Sequence, residues 1–341
     1  MRKTNHIRHR KPFIVISLLL LIAIVFTVLL PQVLFQSIPE NSAVRQICVD
    51  ELGQAYFVME DSKLYVGGQN RDRFGFYETG FQWGLLYGLR NLASERPPVF
   101  FADRVNAVFI AEDGVLFTDL DGVLYYFGEQ NHGKKEALAE NVMKASQSSF
   151  AITCLSSDST AYCITRDYQS DAWTPPQKLM DDVRDVAIEG SCIWLLQEDG
   201  HLLTVSMRDD GTPALNEKTV VAEKVSNMWT SRSAVLLRTT DGTYQVISCD
   251  DSKIISIRDL KNPLPDEDND LKIIDGDLKG PYPGDYFLTE QGGVYRLEED
   301  TPVFLSALQE KEAVGIAVGY GFAYVIFGDG SYQRIPFDEA A

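Results

Sequence analysis

Two stretches of the chain are copies of one pattern: "VRDVAIEGSCIWLLQEDGHLLTVS" at 183–206 and "EAVGIAVGYGFAYVIFGDGSYQRI" at 312–335. Each carries an apolar run to a Gly, a second run to Asp-Gly, and a third run away from it. Asp-Gly provides the positive φ values of a tight type I′ turn, and the flanks are rich in Val, Ile, Leu, Tyr and Phe. The unit therefore predicts a β-hairpin preceded by one more strand. Runs such as "AYVIF" and "IWLL" are apolar on both faces, as strands sandwiched between neighbouring sheets must be.

The frame recurs along the chain. It fits 105–128 and 225–248 well, 44–68 and 142–165 less closely, and 271–297 with Gln291-Gly292 in place of Asp-Gly. With 183–206 and 312–335 there are seven copies, whose turns fall at 61, 121, 158, 199, 241, 291 and 329. A spacing near 40 residues accommodates four strands of five or six residues plus turns. Units of that size cannot bury their faces alone and stack radially. The fold class expected is all-β, a seven-bladed β-propeller. The last copy ends too soon for a fourth strand, so a strand from about 36–43 is expected to close the ring beside it.

The frame resembles the regulator-of-chromosome-condensation repeat, best in Val314, Ile316, Ala317, Gly319, Asp329, Gly330 and Tyr332. A faint trace of the family's following motif stands at Gly68-Gln69-Asn70 and at Phe127-Gly128 with Asn131. The resemblance covers roughly 44–335 and implies a seven-bladed propeller that binds partners across its face. The family's His before the second strand and the Trp of its motif are absent here. Val318-Gly319-Tyr320-Gly321 also matches four letters of a potassium-channel filter. A filter needs pore helices around it, whereas this stretch leads into a hairpin. Its glycines are assigned to a strand-to-strand turn, with Gly319 placed where Gly190 stands in the fourth copy.

Ahead of the repeats lies "FIVISLLLLIAIVFTVLL" (13–30), which with "PQVLF" reaches Phe35 without a charge. That length spans about 30 Å of hydrocarbon and exceeds the apolar region of a cleaved signal peptide, and no convincing cleavage site follows. The expected organisation is a basic cytoplasmic tail (1–12), an uncleaved transmembrane signal-anchor (13–35) and an extracytoplasmic propeller (36–341). Arg2, Lys3, Arg8, Arg10 and Lys11 precede the span and no acid appears before Glu40, which places the propeller outside the cell membrane. Absence of any N-x-S/T sequon in the exported part leans towards a bacterial source. Of 31 Lys and Arg against 49 Asp and Glu, only five basic residues lie before the span, so the exported part has a net charge near −23. Nucleic acid is excluded as a partner, and a cationic protein or surface ligand would be attracted.

No chemistry-bearing motif stands out, and the sequence points to no cofactor, metal or catalytic residue. His132 and His201 are each isolated, and His201 follows a turn. Asp266, Asp268 and Asp270 have calcium-loop spacing, but Leu271 and Asp277 stand where Gly and Glu are needed. Cys154 and Cys163 flank Asp158-Ser159. A two-residue turn there would set them opposite each other, within reach of a disulfide; two separate buried thiols are the alternative. The longest interval holds an aromatic-rich insertion. Phe76, Tyr77, Phe81, Trp83 and Tyr87 in it, with Tyr282 and Tyr286 of "GPYPGDYF", are candidate partner contacts. The function expected is a membrane-anchored binding module without catalysis. The alternatives are a propeller enzyme acting on surface polysaccharide through axial carboxylates, or a structural adaptor of a membrane complex.

Overall fold

The structure, a computed structural model, describes Ile38 and residues 42–336 apart from 51–53, 70–94, 112–113, 129–133, 149–150, 168, 171, 231–233, 251–252, 261–272, 278–284, 291–292, 299–300, 308–311 and 320–321. Blade one comprises β1 (Val44–Val49), β2 (Gln54–Met59), β3 (Leu64–Gln69) and β4 (Glu95–Ala102). Blade two comprises β5 (Val105–Ile110), β6 (Gly114–Asp119), β7 (Leu124–Gly128) and β8 (Glu136–Ala139). Blade three holds β9 (Val142–Ser148), β10 (Ala151–Ser156), β11 (Ala161–Thr165) and β12 (Gln177–Met180). Blade four holds β13 (Val183–Glu189), β14 (Cys192–Gln197), β15 (Leu202–Ser206) and β16 (Thr219–Ala222). In blade five these are β17 (Val225–Thr230), β18 (Ala234–Thr239), β19 (Tyr244–Asp250) and β20 (Lys253–Asp259). Blade six has β21 (Ile273–Asp277), β22 (Asp285–Thr289), β23 (Gly293–Glu298) and β24 (Thr301–Ala307). Blade seven has β25 (Ala313–Gly319), β26 (Phe322–Phe327) and β27 (Tyr332–Pro336).

Each blade is one antiparallel meander, and the first strands touch in succession from β1 round to β25 and back to β1. The molecule is an all-β, seven-bladed propeller. The two-sided apolar strands explain why. β2, β10 and β26 are buried at every position, so each blade shares one core with the blade before and another with the blade after. Between blades seven and one, for example, Ala55, Phe57 and Met59 meet Phe322, Tyr324 and Ile326, with Phe57 edge-on to Tyr324 at 5.5 Å.

The hairpins differ from the expected type I′ turn. In six blades the residue at the bend closes an i→i+3 bond and alone has positive φ: Ser62 (64°), Gly122 (79°), Ser159 (61°), Gly200 (87°), Gly242 (93°) and Gly330 (76°). The loop is thus three residues long, a type I turn followed by one left-handed residue. One residue more than expected shifts the register by one, and a one-residue shift turns a side chain to the other face. That shift overturns the disulfide. Cys154 pairs with Tyr162 and Cys163 with Thr153, so the two thiols point to opposite faces of the sheet. Cys154 joins the core between blades two and three, and Cys163 the core between blades three and four. Burial pushes both thiols up to about 12.

The tetrapeptide with Gly319 is also redrawn. Gly319 ends β25 and pairs with Phe322, as Glu189 pairs with Cys192 in blade four; Gly190 is a turn residue at φ 56°. A side chain at 319 would sit 2.4 Å from the Phe322 ring, so this glycine admits an aromatic ring and does not form the bend. Of the expected closing strand at 36–43, only Ile38, Ser42 and Ala43 are described, none of them in a strand.

Candidate interaction surface

Antiparallel order gives the propeller two faces. One, the hairpin face, carries the turns between second and third strands and the joints from each fourth strand to the next first strand. The other, the connection face, carries the remaining loops.

The joints are built by one repeated pair of bonds. The first residue of an inner strand donates its N–H to the carbonyl of the left-handed residue of the preceding blade. This holds for Val105 to Ser62 (2.8 Å), Val142 to Gly122 (2.8 Å), Val183 to Ser159 (2.9 Å) and Val225 to Gly200 (2.9 Å). The ring closes in the same way, from Val44 to Gly330 (2.7 Å). At the joint from blade five to blade six, the Tyr244 hydroxyl accepts from Ile273 N–H instead (2.7 Å). A return bond runs from the turn to the joint, as from Leu120 N–H to Arg104 O (2.9 Å) and from Glu198 N–H to Asp182 O (2.9 Å). Arg104, Asn141, Asp182 and Lys224 take positive φ to make it.

A β-bulge follows the first residue of the inner strand in all seven blades. Bulged residues point to the next blade: Arg45 Nη2 donates to Val105 O (3.1 Å) and Arg184 Nη2 to Val225 O (2.8 Å). Further along, the Gln46 amide brackets Val108, donating to its carbonyl at 2.8 Å and accepting its N–H at 2.9 Å. These bonds satisfy backbone groups on the inner strands' open edges, which would otherwise depend on water.

The hairpin face is acidic because the same positions repeat. Turns contribute Glu60, Asp61, Asp121, Asp158, Glu198, Asp199, Asp241, Glu290 and Asp329, and joints contribute Asp103, Glu140, Asp181, Asp182, Glu223 and Glu312, all exposed. Three of the turn aspartates in the Asp-Gly position also brace their own loops, while in blade two Asp119 takes that role. The Oδ1 atoms of Asp199, Asp241 and Asp329 accept the N–H two residues on, at 3.0, 3.2 and 2.8 Å. Such bonds favour the charged form. The Thr239 and Thr243 hydroxyls and the Thr243 N–H lower Asp241 to about 2. Asp199 is lowered by the His201 N–H and then by its ring. Cations offset part of this charge: Lys63 pairs with Asp61 (2.6 Å) and Arg104 with Asp121 (2.8 Å). His201 Nδ1 lies 2.8 Å from Asp199, and that bond raises the imidazole above its ordinary value. Exposed large apolar side chains on this face include Leu120, Met143, Val314 and, at the start of β27, Tyr332.

The other residues singled out from the sequence fall elsewhere. Phe76, Tyr77, Phe81, Trp83, Tyr87 and Tyr282 lie outside the described residues, as do Asp266, Asp268, Asp270 and His132. Tyr286 is corrected: only 2% exposed, it is packed in the core between blades six and seven and has no surface to offer a partner. It lies on a strand that is apolar on both faces, which its loop-like sequence context concealed. Phe101, in the same aromatic-rich interval, packs edge-on to Phe117 and Phe127. The inner strands carry Asp185 and Glu189 on β13 and Asp275 and Asp277 on β21, and Lys144 of the preceding blade binds Asp185 at 2.5 Å. Among the described residues no cluster of His, Cys, Asp and Glu could hold a metal ion. No described helix is long and apolar enough to cross a membrane, and residues 13–35 lie outside the described region. The joint acids were not anticipated. Their signal is a short frame before each blade, in "ADRV", "AENV" and "AEKV" (102–105, 139–142 and 222–225).

Comparison with known proteins supports the architecture. No family model matches the chain, and no curated protein sequence matches it. Solved structures do. A chain in the crystal structure of Kap60 bound to yeast RCC1 (Prp20) is similar at 11% identity and a TM-score of 0.59, with 87% of this chain and 81% of that one covered. The β-propeller domain of Myceliophteria thermophila Cps50 (Swd1) is similar at 7% identity and a TM-score of 0.56, covering 89% and 99%. A chain of the mitotic checkpoint complex is similar at 10% identity and a TM-score of 0.54, covering 89% and 95%. At these identities the likeness defines a class by fold alone, the β-propellers.

Proposed function

We propose that this chain is a binding module without chemistry of its own, anchored through residues 13–35 with its propeller outside the cell membrane, and that its acidic hairpin face receives a basic protein partner. One observation carries the reading. The repeat places carboxylates at nearly every turn and joint of a single face, and bonds to several of the turn aspartates hold them ionised. Such a field attracts and orients a cationic partner and weakens with salt. Two of the similar propellers were solved within complexes, Kap60 bound to yeast RCC1 and the mitotic checkpoint complex, which agrees with a binding role. The polysaccharide-hydrolysing alternative requires a pair of free carboxylates near the axis; of the four inner-strand acids, Asp185 is held by Lys144.

The test uses the full-length chain and its Asp199→Asn/Asp241→Asn/Asp329→Asn variant, in which Asn preserves the acceptor that braces each turn. Binding to a lysine-rich peptide should fall at least several-fold in the variant and decline steeply with salt in the parent. Equal binding by both proteins would reject the acidic face. Loss of partner capture in a Phe81→Ala/Trp83→Ala/Tyr87→Ala variant alone would move the contact to the aromatic insertion.

A further inference from the structure

We infer that the anchored propeller turns its connection face towards its own membrane and presents the hairpin face outward; this rests on the anchor proposed above. Val44 is where the described ring begins. Its N–H is bonded to Gly330 O, and Glu60 N–H is bonded to Ala43 O (3.0 Å), so residues 43 and 44 lie at the hairpin face. A chain running straight from there to an anchor would leave from that face. Ile38, six residues earlier, instead packs partly buried against the core between blades seven and one. The chain at Ile38 is thus held against the side of the ring between blades seven and one.

The other joints show the path it takes. Ala102, Ala139, Met180 and Ala222 each end a fourth strand three residues before the Val that opens the next blade. Their partners on the third strands are Leu64, Leu124, Ala161 and Leu202. The bond from Glu60 to Ala43 repeats the one from Leu120 to Arg104, so Asn41 stands where those four residues stand. Its partner would be Tyr332, at the start of β27, which has no fourth-strand neighbour among the described residues and leaves Tyr332, Gln333 and Arg334 exposed. Residues 36–41 laid along that edge run from the connection face to the hairpin face, as every fourth strand does. Gln36 then emerges at the connection face, and the apolar span ends at Phe35, one residue away. With no slack in the tether, the connection face is the one held near the lipid.

The full-length chain is reconstituted into phosphatidylcholine–phosphatidylglycerol vesicles carrying an acceptor dye on a headgroup. A donor is attached at Asp209→Cys, an exposed site on the connection face, or at Asp241→Cys, an exposed site on the hairpin face, with the unsubstituted chain as labelling control. Energy transfer should be clearly stronger from position 209. Equal or reversed transfer from protein that survives an alkaline carbonate wash overturns the orientation and leaves the anchor standing. Release of the protein by that wash overturns the anchor, and the orientation with it.

Discussion

Gly319 is where an added methyl group would be felt most directly. A β-carbon there would meet the Phe322 ring at 2.4 Å, and the guanidinium of Arg334 lies over that ring, 4.1 Å from its centre. The ring is 1% exposed and has nowhere to move. Gly319→Ala should therefore destabilise the fold by about 1–3 kcal/mol, the usual range for overpacking, as read by chemical denaturation. His201 is a gentler probe. Its folded pKa is raised by Asp199, so the pair's contribution is fully present below the unfolded value of about 6.5 and fades as pH rises through the folded one. Nuclear magnetic resonance titration should place the His201 midpoint above 6.5, and Asp199→Asn should bring it down. An unchanged midpoint would mean that the ion pair does not persist in solution.

At the scale of the element, the joint between blades decides how much a turn matters. Gly200 and Gly242 occupy the same place in consecutive hairpins, at φ 87° and 93°. A side chain at 242 meets nothing within 4 Å, while one at 200 comes within 3.2 Å of Val225 O and crowds the bonded joint to blade five. Gly242→Ala should cost about 1 kcal/mol of backbone strain, and Gly200→Ala measurably more. Thermal melting of the two variants gives the comparison, and equal losses would contradict the joint's role. The hairpins themselves were legible in the sequence, because Asp-Gly between two apolar runs is a local signal. Loop length was not, since a type I′ pair and a type I turn with one left-handed residue accept the same letters. Cys154 and Cys163 show the consequence: correct strands, with a register one residue off. The joint acids escaped notice because Asp103, Glu140 and Glu223 precede the apolar frame that marks each repeat.

At the scale of the whole molecule, seven copies of one strand frame sufficed to specify a closed ring, because every apolar strand must be covered on both sides and only closure leaves none bare. Where the partner's surface lies was less legible, since aromatic letters such as Tyr286 read alike in a loop and in a core. If the chain upstream of Val44 completes blade seven, a protein beginning at Val44 should be less stable than one beginning at Gln36. Loss of the Ile38 contact alone accounts for about 1 kcal/mol of that difference. Equal denaturation midpoints would remove the closing strand. The bond from Val44 to Gly330 has a further meaning for how the ring forms. It joins residues 286 apart, whereas the same bond from Val105 to Ser62 spans 43. Loop entropy grows only with the logarithm of length, so for a flexible chain the last joint costs roughly 1.7 kcal/mol more than a neighbouring one. The seam between first and last blade is thus nearly as affordable as any other, and where the polymer begins is close to arbitrary. A circularly permuted chain, its old ends linked and new ends opened at another joint, should reach the same ring.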